Sequence, residues 1–183
     1  MARLRTIDRN QATGKAKELL DSVHSQFGAT PNLMRDLANS PAVLGAYVNF
    51  YTALASGLLD KKLHDQIAFV VAEANGCDYC LSAHIALGRK AGLSDQQLAA
   101  ARALKTGTGR TDTALYFARE IVVRRGQITP AQFEAVQRAG FSDGEIVEII
   151  GHVAVNIFTN YFNNINQTEV DFPKVSVAPE KAA

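Results

Sequence analysis

The chain reads as a single all-α domain, and three observations carry that reading. Apolar residues recur at spacings of three and four along most of the sequence, the period of a helix with one buried stripe. Helix start signals (Ser, Thr or Asp, several followed by proline) and stop signals (Gly or Asn) stand between these stretches. Strict alternation of apolar and polar residues, the mark of a half-buried strand, is scarce. A length of 183 residues suits one domain with a sizeable core and is a little short for two.

Taken in order, residues 14–27 place Ala16, Leu19, Leu20, Val23 and Phe27 on one stripe, and Gly28 ends that helix. Thr30-Pro31 opens a short helix through Ala38, with Thr30 as its predicted cap. Ser40-Pro41 repeats the signal for a helix to about Ser56, carrying Val43, Leu44, Tyr47, Phe50, Tyr51 and Leu54. Asp60 caps a helix over 61–74, and Asn75-Gly76 is a strong stop or turn. A helix holding both cysteines follows and ends near Gly92.

Residues 91–97 then read as a glycine C-cap, a staple residue and a capping box, and nearly the same phrase recurs at 139–145. Shared helix-boundary chemistry explains the repeat without a duplicated domain. A Gly- and Thr-rich loop at 106–110 precedes a helix over 111–125, and Thr129-Pro130 enters another short one. The last helix, about 142–166, is apolar on more than one face, which predicts burial on several sides; a subunit interface is a natural way to achieve it. The helical domain is expected to cover 1–170. Residues 171–183, with Pro173 and Pro179 and no periodicity, are expected to form a tail packed loosely or across a neighbour.

Apolar residues make up 47% and charged residues 20%, with a formal net charge of +1, so nothing points to nucleic acid or a membrane surface as partner. The apolar run at 146–162 is broken by Glu148, His152, Asn156 and Asn160, and no run is long enough to span a bilayer. The first residues are charged and lack the apolar centre of a signal peptide, so a cytoplasmic protein is expected. In such a reducing compartment a close-spaced cysteine pair is more often catalytic or metal-binding than structural.

That pair is Cys77 and Cys80, in C-x-x-C spacing, with His84 one helical turn further on. On a helix His84 shares a face with Cys80 and can accept its proton or lower its pKa, and the free N–H groups of a first turn favour thiolate. Oxidation of one sulfur to a sulfenic acid and condensation with the other would give a disulfide. If the chain reverses at Asn75-Gly76, Asp65 comes roughly opposite His84 or Ile85, which would allow a relay Asp65–His84–Cys80, directly or through a water, while Glu73 becomes a candidate neighbour of Cys77. Two thiols and an imidazole are also three quarters of a zinc site, but a fourth ligand would have to be Asp65, Glu73 or another histidine. Tyr79 reads as a packing residue whose hydroxyl can reach the site. His152, Asn156 and Asn160 form a polar line that borders a cavity, bonds across an interface or is satisfied within the core. His24 and His64 read as exposed helix positions.

The runs 63–67 and 73–84, with Gly88, residues 91–93, Pro31-Asn32-Leu33-Met34 and the segment 156–163, resemble the carboxymuconolactone decarboxylase family, in its branch of AhpD-like alkylhydroperoxidases that keep both cysteines. The resemblance covers most of the chain. It implies an all-helical fold assembled as trimers or hexamers and a thiol-dependent reduction of hydroperoxides that needs no cofactor. By the resemblance Cys80 is the peroxidatic thiol, Cys77 the resolving one, and His84 part of the proton relay. Asp65 stands where the family relay has a glutamate, and Tyr79 where its best-known member has a histidine. The implied reductant is a lipoylated protein or a thioredoxin-like dithiol. Two competing functions are a lactone decarboxylase, which needs no cysteine pair, and a non-enzymatic thiol–disulfide sensor.

Overall fold

The computed structural model describes residues 2–178. Among them are nine helices and no strand: α1 Gly14–Phe27, α2 Asn32–Leu37, α3 Pro41–Ala55, α4 Lys61–Ala74, α5 Asp78–Lys90, α6 Asp95–Arg102, α7 Gly109–Val123, α8 Pro130–Arg138 and α9 Asp143–Asn166. The all-α expectation therefore holds. The capping chemistry falls where the sequence placed it: Ser40 and Asp60 accept from the third residue of their helices, and Ser94 and Ser142 each close a full capping box. Two starts differ. Pro31, not Thr30, precedes the first helical residue of α2, while the Thr30 hydroxyl lies 3.3 Å from His24 Nδ1. Helix α7 begins at Gly109, because Asp112 in its first turn reaches back to the Thr106 N–H at 2.6 Å and anchors the Gly-rich loop.

The most enclosed helix is α4, packed against α5, α6, α7 and α9. Its stretch from Gln66 to Ala72 is buried without interruption, and Ile67, Phe69, Val71 and Ala72 have no exposed surface. Helix α9, expected to be buried all round, buries Ile146, Ile149 and Val153 but leaves Val147, Ile150, Phe158, Tyr161 and Ile165 exposed in the single chain. A helix apolar on two faces needs two partners, and one chain supplies only one of them.

At the end of α4 the chain reverses through Gly76, whose φ of +62° is the left-handed conformation that closes a helix. The Cys77 N–H bonds the Ala72 carbonyl at 2.9 Å and the Gly76 N–H the Glu73 carbonyl at 3.2 Å, the pattern of a Schellman motif. Cys77 is at once the last residue of that motif and the N-cap of α5. Further along α5, Gly88 permits the close approach of α4 and α6: a Cβ there would stand 3.0 Å from Phe69 and 3.1 Å from Leu98.

The described part of the expected tail, residues 171–178, is held against the domain, and residues 179–183, with Pro179, lie outside the described residues. Phe172 packs edge-on to Tyr79, with ring centroids 5.9 Å apart. The Val175 N–H donates to Ser82 Oγ at 2.9 Å, the Val177 N–H to Asp78 at 2.9 Å and the Ala178 N–H to Glu73 at 2.9 Å. Polar side chains at the α4–α5 turn thus hold residues 172–178 as a strap along the first turns of α5. No helix among the described residues is long and apolar enough to cross a membrane.

Candidate functional site

Both cysteines are free thiols, with Cys77 fully buried and Cys80 3% exposed. Their sulfurs lie 2.7 Å apart with the Cys77 thiol donating to Cys80, and the Cys80 N–H donates to Cys77 Sγ at 3.3 Å. The N-cap position explains this approach: Cys77 takes the capping role of a serine and folds its side chain back over the first turn.

A third donor comes from α9, where Asn163 Nδ2 points at Cys80 Sγ from 3.2 Å. Burial works against charge on Cys80, but the Cys77 thiol, Asn163, the nearby His84 charge and Asn160 outweigh it and hold the Cys80 thiol below its ordinary pKa. Cys77 moves the other way. Its donation to Cys80, then its burial, push its thiol well up. The two sulfurs are thereby made unequal, one poised as thiolate and the other kept as thiol.

The reversal at Gly76 brings Asp65 to His84, as the turn argument required. Asp65 Oδ1 and His84 Nδ1 are 3.9 Å apart, beyond hydrogen-bond range, and both His84 Nδ1 and the second Asp65 oxygen are buried without a partner. Asp65 is 6% exposed. A single water between the two groups would satisfy both. Glu73 is not brought to the thiols: it pairs with Arg102 and accepts from the Ala178 N–H, so it anchors the strap. Tyr79 is a packing residue whose hydroxyl accepts from the Leu33 N–H at 3.0 Å and ties α2 to α5. Its hydroxyl is not free for the site.

Asn163 is the residue that sequence reasoning missed. The polar line at 152, 156 and 160 was visible, and Asn163 follows Asn160 by three residues on the same helical face. The line divides by task. Asn156 is satisfied internally on the His152 carbonyl at 2.8 Å. Asn160 Oδ1 accepts from Asn75 at 2.9 Å, and Asn164 donates to the Asn75 carbonyl at 2.9 Å, so α9 pins the turn that carries the cysteines. His64, expected to be exposed, instead stacks on His152 with ring centroids 4.1 Å apart.

In front of Cys80 and His84 lies a cavity of about 270 Å³, walled by Met34, Tyr47, Tyr51, Leu87 and Phe172 among others. Three larger clefts, of about 490, 950 and 340 Å³, reach neither cysteine. Among the described residues no three His, Cys, Asp or Glu side chains are arranged to hold a metal ion. The site can therefore bring a small apolar molecule against a buried thiolate, with a second thiol behind it and an imidazole beside it.

Comparison with known proteins bears on the fold. The sequence model of the carboxymuconolactone decarboxylase family matches residues 41–123. No curated protein sequence matches the chain. An uncharacterised peroxidase-related protein from Ralstonia eutropha JMP134, described as an alkylhydroperoxidase AhpD core, superposes with a TM-score of 0.81 at 24% identity, over 93% of this chain and 92% of that one. A peroxidase-related protein from Silicibacter sp. TM1040 gives 0.78 at 23% identity, over 92% and 94%. A cysteine-to-alanine variant of the debrominase Bmp8, in complex with 2,3,4-tribromopyrrole, gives 0.81 at 18% identity, over 93% and 92%. At these identities the likeness is one of fold.

Proposed function

We propose, from the match of residues 41–123 to the carboxymuconolactone decarboxylase family model and from the site itself, that the protein is a thiol-dependent peroxidase acting through Cys80 and Cys77. The observation that carries the reading is the unequal thiol pair at the base of an apolar cavity, with Cys80 favoured as thiolate and the Asp65–His84 pair alongside.

The Cys80 thiolate attacks the distal oxygen of a hydroperoxide. An S–O bond forms as the O–O bond breaks, the sulfur is oxidised by two electrons, and the alkoxide leaves with a proton from His84. Cys77 sits 2.7 Å away and attacks the resulting sulfenic acid, giving the disulfide and water. An external dithiol, on a lipoylated or thioredoxin-like protein, then reopens the disulfide by thiol exchange, becoming oxidised in turn. A reducing compartment such as the cytoplasm would keep the resting pair reduced.

The fate of the thiols tests this directly. One equivalent of an apolar organic hydroperoxide should remove both free thiols, with a mass loss of two hydrogens and release of the alcohol. An unchanged dithiol would falsify the proposal.

The likeness to the debrominase, together with the aromatic walls of the cavity, favours one second reading. In it the same dithiol reduces a halogenated aromatic ring: the two thiols give up two electrons and close to a disulfide, hydrogen replaces the halogen, and halide is released. Lactone decarboxylation draws no support from a paired thiol, and a slow redox sensor has no need of a substrate-sized cavity.

The exposed apolar face of α9 supports assembly as a trimer or hexamer, because a patch of Val147, Ile150, Phe158, Tyr161 and Ile165 is costly to leave in water. Sedimentation equilibrium at micromolar concentration is expected to give a multiple of the chain mass. A monomer would overturn the proposal of a homo-oligomer.

A further inference from the structure

Where α4 packs on α9, and outside the lining of the cavity, lies a second pair of titratable side chains, His64 and His152. His152 on α9 is 4% exposed, and its ring stacks on that of His64 at 4.1 Å. His64 is half-buried, so this pair reaches from the interior towards solvent. His64 adjoins Asp65 in sequence. The Nε2 atoms of both histidines are buried and unpartnered, as are the second Asp65 oxygen and His84 Nδ1.

Four orphaned polar atoms on three packed helices are more than a native interior leaves dry, and ordered water between them is the ordinary solution. The charges of Asp65, His84 and Glu148 all act on His152, while Glu148 itself is held by the Leu58 and Leu59 N–H groups at 2.7 to 3.0 Å. Burial, then His64, lower His152 to a pKa of about 4, so at neutral pH it is an uncharged imidazole able to take a proton on one nitrogen and release one from the other.

The thiol cycle has a need that this group meets. When the reductant attacks the disulfide, the S–S bond breaks and one enzyme sulfur leaves as thiolate. Cys77, the thiol whose charge is disfavoured by its contact with Cys80 and by burial, has to be reprotonated. Attack of the second reductant thiolate on the mixed disulfide then frees the other sulfur. Overall the two protons of the reductant's thiols reach the enzyme's pair, through solvent. On this scheme the reductant reaches Cys80 through the cavity, and Cys77, fully buried and not part of the cavity lining, needs a proton from another side.

We propose that His152, stacked on His64, is a proton entrance of the dithiol site, carrying protons from solvent across the α4–α9 contact to Asp65, His84 and the sulfurs. The inference rests on the thiol reading above, but its test does not require peroxidase activity. His152 is on this account a positioning and relay residue that touches neither substrate nor sulfur.

The disulfide is formed chemically with diamide, and its reduction by dithiothreitol is followed in stopped flow beside iodoacetamide alkylation of the reduced protein. Alkylation needs the Cys80 thiolate but delivers no proton to a leaving group, since iodide departs. His152→Phe, which keeps a ring against His64, is expected to slow disulfide reduction about tenfold while alkylation stays within about twofold, and added imidazole should restore the rate of His152→Ala, whose lost ring leaves room for it. Should His152→Phe not fold, His64→Phe carries the same comparison. Unchanged reduction, loss of both reactions together, or no rescue by imidazole would each overturn the proposal. Failure of hydroperoxide to oxidise the wild-type thiols would instead strike at the peroxidase reading and leave this result standing.

Discussion

Cys80→Ser is expected to abolish hydroperoxide consumption, whereas Cys77→Ser should consume one equivalent and stop. The difference follows from the geometry of the pair. Cys80 receives hydrogen bonds from Cys77 and Asn163 and opens onto the cavity, so it alone is both favoured as thiolate and reachable. A serine hydroxyl there would not ionise near neutrality, and the loss should be on the order of a thousandfold or more, as when a catalytic nucleophile is removed. Serine at position 77 retains a donor at the N-cap and should leave the first oxidation intact. With no resolving thiol, the sulfenic acid would persist and be trapped by dimedone. Single-turnover peroxide loss and mass spectrometry of the trapped adduct check both arms. Equal activity in the two variants would remove the division of roles.

His84→Ala should produce the next largest effect, a fall of about a hundredfold or more in the peroxide reaction, the lower range for loss of a proton donor. Its pH dependence is the sharper test. Thiolate increases as pH rises, and the wild-type profile should turn over below the pH of an ordinary thiol because the folded site lowers the Cys80 pKa. Removing His84 deletes one of the groups that favour the thiolate, so the profile should shift to higher pH. Asn163→Ala should shift it the same way, with a loss of about tenfold at neutral pH, since a hydrogen bond to a charged group contributes about 1.5 kcal/mol. Iodoacetamide alkylation measured from acid to alkaline pH reads these shifts without any peroxide chemistry. A profile unmoved in both variants would mean that neither group sets the thiolate.

Much of this site is legible in the sequence because its elements are local. The C-x-x-C, the histidine one turn on and the Asn75-Gly76 reversal each follow from helix spacing and from one left-handed glycine. The pairing of Asp65 with His84 needed only a count outward from that turn. Contacts set by tertiary packing were less legible. Glu73 stood at the right distance from Cys77 in sequence, but Arg102 and the strap, both remote in the chain, compete for its carboxylate. His64 looked exposed because the helix that covers it is α9, some ninety residues away, and Asn163 belongs to the same long-range contact. The face of α9 was read correctly as apolar, but whether it is covered depends on a partner that one chain does not contain.

The double duty of Cys77, closing α4 and opening α5, bears on how oxidation couples to the rest of the molecule. A cross-link between Cys77 and Cys80 joins residues that one capping motif already holds together. Its ring is so short that the chain entropy removed from the unfolded state is worth about 2 kcal/mol, against about 4.7 kcal/mol for a hundred-residue loop. The bond ties no distant helices together, and its making and breaking are confined to the first turn of α5. A protein that alternates between dithiol and disulfide at every turnover is well served by such economy, because neither redox state has to be bought with a global change in stability.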